Sequence, residues 1–423
     1  MSRPTCRRLL IPLLLSPLTA MAMDYGIYDA RGQAMGGAGV AAASWHSAQY
    51  YNPAILGLHR SREDDSRDGR FVFPNIVAQA DNVAGDIVDA VSDDLEQQLT
   101  DNVNAFNNDP SAQNAGAVAG SARELESLLQ DLGNQSLTGD AFIGFSVSEP
   151  SLLEGGAFYF GVRSLGFGDS DIPQDDFDLM SRYIDALEVI AAGGDPATIP
   201  ADLLDADGNL IDPTDQFNSS ADLSAIAISE WAVAVAKEFD VFGQALSIGV
   251  TPKVMRVDVF RETTNFDDND FNFTDSQKSY VNLNADFGVA LELFDHYRFG
   301  LAVKDAIPET YTTTNDLELT LKARTRFGMA YVNDWVTVGL DYDVSENAPI
   351  AAEAPSQDLS VGLEVSPFRW LQLRAGYRQY QTGLRADVIS GGLAWRWSRL
   401  AMELSYAQSE SSTGAGLQLG WVF

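Results

Sequence analysis

From Lys278 to the end of the chain, hydrophobic and polar residues alternate with a period of two. Over 281–293 the odd positions are Val281, Leu283, Ala285, Phe287, Val289, Leu291 and Leu293, and the even ones Asn282, Asn284, Asp286, Gly288, Ala290 and Glu292. The same alternation sets Leu317, Leu319, Leu321, Phe327, Met329 and Tyr331 against Glu318, Lys322, Arg324 and Arg326. It recurs with Leu359, Val361, Leu363 and Val365 against Ser360, Gly362 and Glu364, then with Leu371, Leu373, Ala375 and Tyr377 against Gln372, Arg374, Gly376 and Arg378. Leu400, Met402, Leu404 and Tyr406 repeat it with a weaker polar face. Period two means a strand with one apolar face. Soluble sandwiches alternate too, but their strands average about five or six residues, whereas a membrane barrel needs about 9 to 11 tilted residues, apolar toward lipid and polar toward the lumen.

Strands are therefore predicted at 70–79, 138–149, 155–166, 228–240, 243–260, 278–293, 296–305, 316–332, 335–345, 356–366, 370–380, 386–397, 400–410 and 413–423. The fold class is all-β membrane: an antiparallel transmembrane β-barrel of about fourteen strands, the even number expected of a single-chain bacterial barrel. Short connections at 149–154, 241–242, 294–295, 333–334, 367–369 and 398–399 alternate with longer ones, as periplasmic turns alternate with external loops. Leu417, Leu419, Trp421 and Phe423 carry the alternation to a terminal aromatic, and Trp370, Trp395, Trp397 and Trp421 sit where an interfacial girdle belongs.

Two insertions, about 80–137 and 167–227, read as helical. The first places Ile87, Val91, Leu95 and Leu99, then Leu125, Leu128, Leu129 and Leu132, at helical spacing. The second does the same with Leu179, Met180, Tyr183, Ile184, Leu187 and Ile190 ahead of Gly193-Gly194. These stripes either pack on one another or on the barrel rim, or form a hydrophobic ligand groove or partner surface.

The N-terminus reads as an export signal over 1–22: Arg3, Arg7 and Arg8, an apolar stretch from Leu9 to Leu18, and Ala20-Met21-Ala22 as a cleavage site. Its apolar stretch is too short to span a bilayer. The domain plan is then a signal at 1–22, a plug at 23–69 and a barrel at 70–423. Cys6 is the only cysteine, so a chain starting at Met23 has no disulfide and no thiolate metal site. With 27 Lys plus Arg against 60 Asp plus Glu, the net charge is −33, a field that repels nucleic acid. The acid concentrates in 81–131, 169–222 and 262–275, which read as solvated loops and helices. On the inward parity, Lys322, Arg324, Arg326, Arg374 and Arg378 face Asp286, Asp341, Asp343 and Glu364, either as an ion-pair network that holds the plug or as an anion pathway.

The segment Ala30-Arg31-Gly32-Gln33-Ala34-Met35-Gly36-Gly37-Ala38-Gly39-Val40-Ala41, followed by Tyr50-Tyr51-Asn52-Pro53-Ala54-Ile55-Leu56, resembles the N-terminal region of FadL-like outer-membrane barrels. With the acidic insertions and Gly300-Leu301-Ala302-Val303-Lys304-Asp305, the chain is most similar to the barrel-type family labelled conjugal transfer protein TraF. A thioredoxin-like family of the same label does not fit a chain without cysteine after Cys6. The resemblance implies a plug inside a fourteen-stranded barrel, with Gly36, Gly37, Gly39, Asn52, Pro53 and Ala54 as the plug motif, and sideways release of hydrophobic molecules through the wall. The long insertions after the first and third strands depart from FadL, so the roles of its fatty-acid site are not carried over.

Other motifs weaken on inspection. Gly37-Ala38-Gly39-Val40-Ala41-Ala42 fits a dinucleotide fingerprint but follows no strand and opens no βαβ unit. Asp205-Ala206-Asp207-Gly208-Asn209 is better read as an acidic turn than as a calcium loop, because alignment on Gly208 puts Leu203 and Thr214 at ligand positions. His46, His59 and His296 have neither metal spacing nor a nucleophile elbow. No cofactor and no enzyme activity are expected. The functional readings are a barrel that passes or binds hydrophobic small molecules, and an accessory barrel in conjugal transfer or secretion acting through envelope proteins. Both have outer-membrane lipid as surroundings. Heat-modifiable, β-rich protein is expected in outer-membrane fractions; recovery as a soluble periplasmic protein would contradict the barrel.

Overall fold

The computed structural model describes residues 23–58, 69–82, 95–133, 137–150, 155–265, 276–347, 355–383 and 385–423. The expected signal over 1–22, His59, Ile87 and Val91 lie outside these residues. Three short helices come first: α1 (Ala30–Ala34), α2 (Ala48–Tyr51) and α3 (Ile55–Leu58). The strands and larger helices follow as β1 (Arg70–Asp81), α4 (Leu95–Asn108), α5 (Ala112–Leu132), β2 (Leu137–Pro150), β3 (Gly155–Asp171), α6 (Gln174–Ala191), β4 (Ser220–Val241), β5 (Gln244–Asn265), β6 (Gln277–Leu293), β7 (Tyr297–Lys304), β8 (Glu309–Thr312) and β9 (Glu318–Leu321). The chain ends with β10 (Arg324–Val332), β11 (Val336–Asp343), β12 (Asp358–Phe368), β13 (Leu371–Tyr380), β14 (Val388–Trp397), β15 (Leu400–Gln408) and β16 (Ser412–Val422).

Every strand except β8 and β9 joins one closed antiparallel barrel, in which β1 pairs with both β2 and β16. The fourteen wall strands close on themselves, so the sheet has no edge strand, which is what a bilayer demands of it. The outward face is apolar: Val281 and Leu283 on β6 are 73% and 69% exposed, and Leu363, Leu373 and Leu404 are exposed on their strands. Two- and three-residue turns at Phe242-Gly243, 294–296, 333–335, Arg369-Trp370 and Ser398-Arg399 mark one end, which is the periplasmic end by the usual asymmetry of these barrels.

Two strand expectations need correcting. The predicted strand 316–332 is two elements. Glu318–Leu321 pairs with Glu309–Thr312 in a separate two-stranded hairpin, and the wall strand starts only at Arg324. Leu319 and Leu321, expected to face lipid, are buried against the inner wall. Lys322, expected in the lumen, lies half-buried in the step between hairpin and wall. An inner hairpin and a lipid-facing strand have the same period, so alternation cannot separate them. The second correction concerns length: β3, β4 and β5 run outward to Asp171, from Ser220 and to Asn265, so both ends of the second insertion are strand. In β1 the register shifts between Val72 and Asn75 against both neighbours, and the inward set passes from Arg70 and Val72 to Asn75 and Val77.

The two insertions build one external cap. Leu99, Val103 and Phe106 of α4, Val118, Ala122, Leu125 and Leu129 of α5, and Met180, Tyr183, Leu187 and Ile190 of α6 share a buried core, closed by Ile199, Leu203, Leu210 and Phe217. Of the two alternatives for these stripes, the helices pack on one another. Asn107 sews the insertions together, donating to the Leu210 carbonyl at 2.9 Å and accepting from its N–H at 2.7 Å. Asp176 ties the cap to the wall by accepting from Asn218 N–H at 3.0 Å and from the Ser219 hydroxyl. Asp205 accepts from Asp207 and Asn209 N–H at 2.9 and 2.8 Å, and Gly208 has φ +83°, so this segment is an Asp–Gly turn. Leu187→Ala is expected to cost about 2–5 kcal/mol of cap stability. Circular dichroism should then show a helical transition at lower temperature, while heat-modifiable migration of the barrel is unchanged.

Candidate functional site

The barrel lumen is the site, and residues 23–58 fill it. Nearly all of them are buried. Asp29 caps α1 by accepting from Gly32 N–H at 2.7 Å, and the Tyr51 hydroxyl donates to the same carboxylate at 2.8 Å. Asn52 holds the next turn. Its side-chain oxygen accepts from Ala54 N–H at 3.1 Å, and its amide donates to the carbonyls of Val40 at 2.8 Å and of Val289 on the wall at 3.2 Å. Tyr25, Tyr28, Tyr50 and Tyr51 pack with Phe142 and Tyr159 of the wall into an aromatic mid-section.

Close approach of this segment to the wall depends on inward glycines. Neighbouring strands pair Gly249 with Gly288, Gly300 with Gly328, Gly339 with Gly362 and Gly362 with Gly376. A Cβ on Gly288 would sit 2.0 Å from the Asn52 side-chain oxygen, and one on Gly376 would sit 2.1 Å from the Gly36 nitrogen. Gly36 and Gly37 have φ +67° and +91°, which places the chain flat against β13. Gly39 and Val40 donate from their backbones to Asp341 at 2.7 and 2.8 Å.

Ion pairs fix the segment further. Toward the periplasmic end Arg31 meets Glu364 at 3.0 Å. Arg374 bridges Glu364 at 2.6 Å and Glu403 at 2.7 Å, and Arg70 reaches Glu403 at 2.8 Å. Further outward Lys253 contacts Glu230 and Asp286 at 2.9 Å and Asp305 at 2.6 Å, and Arg324 joins Asp305 and the Asp24 carbonyl. Arg326 pairs with Asp343 at 2.5 Å and Asp358 at 3.4 Å, and Arg163 joins Asp24 and Asp140. Arg378 donates to Gln79 at 2.9 Å beside the Tyr380 ring. Asp286, Asp341, Asp343, Glu364, Arg324, Arg326, Arg374 and Arg378 are thus all luminal. The luminal set also holds Arg31, His46, Arg70, Arg163, Glu230, Lys253 and Asp305, which the sequence does not single out as luminal charges, and Glu403, which falls on the polar face of 400–406. The parity of β3, β4 and β5, extended over their ionisable residues, would have picked out Arg163, Glu230 and Lys253.

Above the charged mid-section the inner wall divides. On the β10–β14 side it stays charged. On β3, β4 and β5 it becomes apolar, with Leu165, Phe167, Ile226, Ile228, Met255, Val257 and Val259 all facing inward and buried. Next to it a cavity of about 330 Å³ is lined by Ile27, Val77, Leu165, Phe167 and Tyr380 together with the charged Asp24, Asp81, Asp140, Arg378 and Arg385.

A closed fourteen-stranded antiparallel wall around an N-terminal luminal segment is a transmembrane β-barrel fold, which points to the Gram-negative outer membrane. A TodX monoaromatic hydrocarbon channel lacking S2 and S3 superposes with a TM-score of 0.53 at 11% identity, over 94% of this chain and 99% of that one. A Pseudomonas aeruginosa FadL homologue gives 0.49 at 11% identity, over 96% and 99%. The chain belongs to the family described as F plasmid transfer operon TraF protein, whose model matches residues 49–343. No curated protein matches its sequence.

His46 gives the luminal segment a pH dependence. Arg70 donates to its Nε2 at 3.0 Å, which requires a neutral ring, and burial together with the Arg70 charge pushes the imidazole down to about 3. The unfolded ring titrates near 6.5, so the contribution of neutral His46 is complete above that pH and is lost as pH falls toward the folded value, by up to about 1.4 kcal/mol per pH unit. Chemical denaturation followed from pH 7 to 4 should show stability falling in the wild type and falling less steeply in His46→Gln. Equal slopes would remove His46 from this role.

Proposed function

We propose that the protein passes hydrophobic small molecules across the outer membrane, with residues 23–69 as a plug inside the barrel of residues 70–423. The observation that carries this reading is the apolar inner wall of Leu165, Phe167, Ile226, Ile228, Met255, Val257 and Val259. Water-filled barrels line their interiors with polar side chains, whereas this strip offers nothing to an ion and gives an apolar solute a surface that leaves no hydrogen bond unmade. The likeness to a chain described as a monoaromatic hydrocarbon channel supports it. In this reading the protein is a channel rather than an enzyme, and Gly36, Gly37, Gly39, Asn52, Pro53 and Ala54 seat the plug.

A second reading, an accessory barrel in conjugal transfer or secretion that acts through envelope proteins, is favoured by the family description and by the cap. Six acidic residues in 95–132 and eleven in 174–217, against Arg123 and Arg182, keep that cap in water as a strongly charged external surface. Loss of plasmid transfer on deleting the gene, with apolar uptake unchanged, would favour this second reading.

The channel reading is tested in planar bilayers and in cells. Intact protein should conduct ions poorly, and deletion of residues 24–56 should raise conductance markedly, because a fourteen-stranded barrel is too wide for its own side chains to fill. Cells carrying the intact protein should take up a radiolabelled monoaromatic hydrocarbon several-fold faster than cells without it. Large, steadily open channels from intact protein would overturn the plug, and unchanged uptake would overturn the transport.

A further inference from the structure

The hairpin β8–β9 covers the apolar strip. Tyr311, Leu319 and Leu321 are buried in one cluster with Leu165, Phe167, Ile226, Ile228, Met255, Val257, Val259 and Met23. The chemistry beneath it changes abruptly along each strand. Lys253 gives way to Met255, Val257 and Val259 on β5, Glu230 to Ile228 and Ile226 on β4, and Arg163 to Leu165 and Phe167 on β3.

The hairpin is attached in a different way from every wall strand. It forms its own two-stranded sheet, with four residues in each strand. A pair of that size is marginal without packing. Its contacts to β6 run largely through side chains: Tyr280 donates to the Thr312 carbonyl at 2.8 Å, Asn282 to the Tyr311 hydroxyl at 3.0 Å, and Asn284 to the Ile307 carbonyl at 3.0 Å. Its base, by contrast, is fixed, because Asp305 is held by Lys253 and Arg324. A cover of this kind rests on apolar contact that a solute of the same chemistry can replace. Leu165 and Phe167 belong both to the covered strip and to the lining of the 330 Å³ cavity, so a molecule in the cavity already touches the strip's edge.

We infer that the inner wall of β3, β4 and β5 is a binding site for an uncharged apolar molecule, and that hairpin β8–β9 is its displaceable cover. This inference rests on the reading that apolar molecules cross the barrel, and it adds where they bind and what must move. The strip itself offers an ion no partner, and the charged groups of the adjoining cavity, Asp24, Asp81, Asp140, Arg378 and Arg385, lie outside it.

The test uses the full protein in detergent and the uncharged fluorophore N-phenyl-1-naphthylamine. Leu319→Asp with Leu321→Asp should free the cover and tighten fluorophore binding several-fold, and adding Val257→Asp should abolish the gain. Tyr280→Cys with Thr312→Cys, in a chain that starts at Met23 and so carries no other cysteine, allows the hairpin to be tethered by a short cleavable bis-maleimide. Tethering should suppress binding, and cleavage of the tether should restore it in the same sample, so the outcome does not depend on whether the aspartate variant folds. Binding that is indifferent to the tether overturns the cover. Binding that is indifferent to Val257→Asp overturns the site. If hydrocarbon uptake by cells persists while both are indifferent, only this inference fails; if no variant binds and cells show no uptake, the transport reading fails with it.

Discussion

A wall of fourteen tilted strands encloses more space than its own inward side chains can occupy, and the rest of this structure follows from how that space is filled. The filling is a folded segment of about 36 residues, Met23 to Leu58, and not a layer of large side chains. Its main chain lies against the wall because glycines at the contact level remove the Cβ atoms that would hold it off, as Gly288 does beneath Asn52 and Gly376 beneath Gly36. A segment that presents backbone to the wall needs hydrogen-bond partners from the wall, and Asp341 and the Val289 carbonyl supply them.

The buried charges follow the same logic. Arg70, Lys253, Arg326 and Arg374 each lie close to carboxylates from another strand, Lys304 and Arg378 are met by the Tyr50 carbonyl and the Gln79 side chain, and burying an ion is tolerable only with such partners. Their net contribution to stability is small, but removing one member leaves a buried charge uncompensated, at a cost of about 3–5 kcal/mol. The pairs therefore fix where the segment sits more than how tightly the barrel holds. Arg31 and Arg374 share Glu364, and His46 lies between Arg70 and Glu403.

How much of this is legible in the sequence depends on whether a feature is local. The wall strands are legible because each carries its own period, and Val281 to Leu293 would be recognised in isolation. The inner hairpin is not, because 317–321 carries that period as well and only the pairing of Glu309–Thr312 with Glu318–Leu321 reveals it. Parity places Arg326, Arg374 and Asp341 toward the lumen, but which carboxylate meets which guanidinium depends on strands that are neighbours only after closure. Arg70 with Glu403 joins the first wall strand to the last but one. The glycines were within reach: Gly288, Gly300, Gly328, Gly362 and Gly376 all fall on the polar parity of their strands, where glycine is otherwise hard to explain. In β1 the reading is defeated by one local irregularity, since the bulge at Phe73-Pro74 exchanges the inward and outward sets halfway along the strand.

Filling of the lumen by a folded and fixed segment, rather than by a loosely held one, is the claim on which the closed pore, the cover and the charge network all depend. Amide hydrogen exchange read by mass spectrometry on the intact protein in micelles tests it directly. Peptides spanning 29–56 should be protected as long as peptides from the wall strands β12 and β13, because their N–H groups are bonded within the segment or to the wall and shielded from water. Complete exchange of 29–56 within seconds, while β12 and β13 remain protected, would contradict the account.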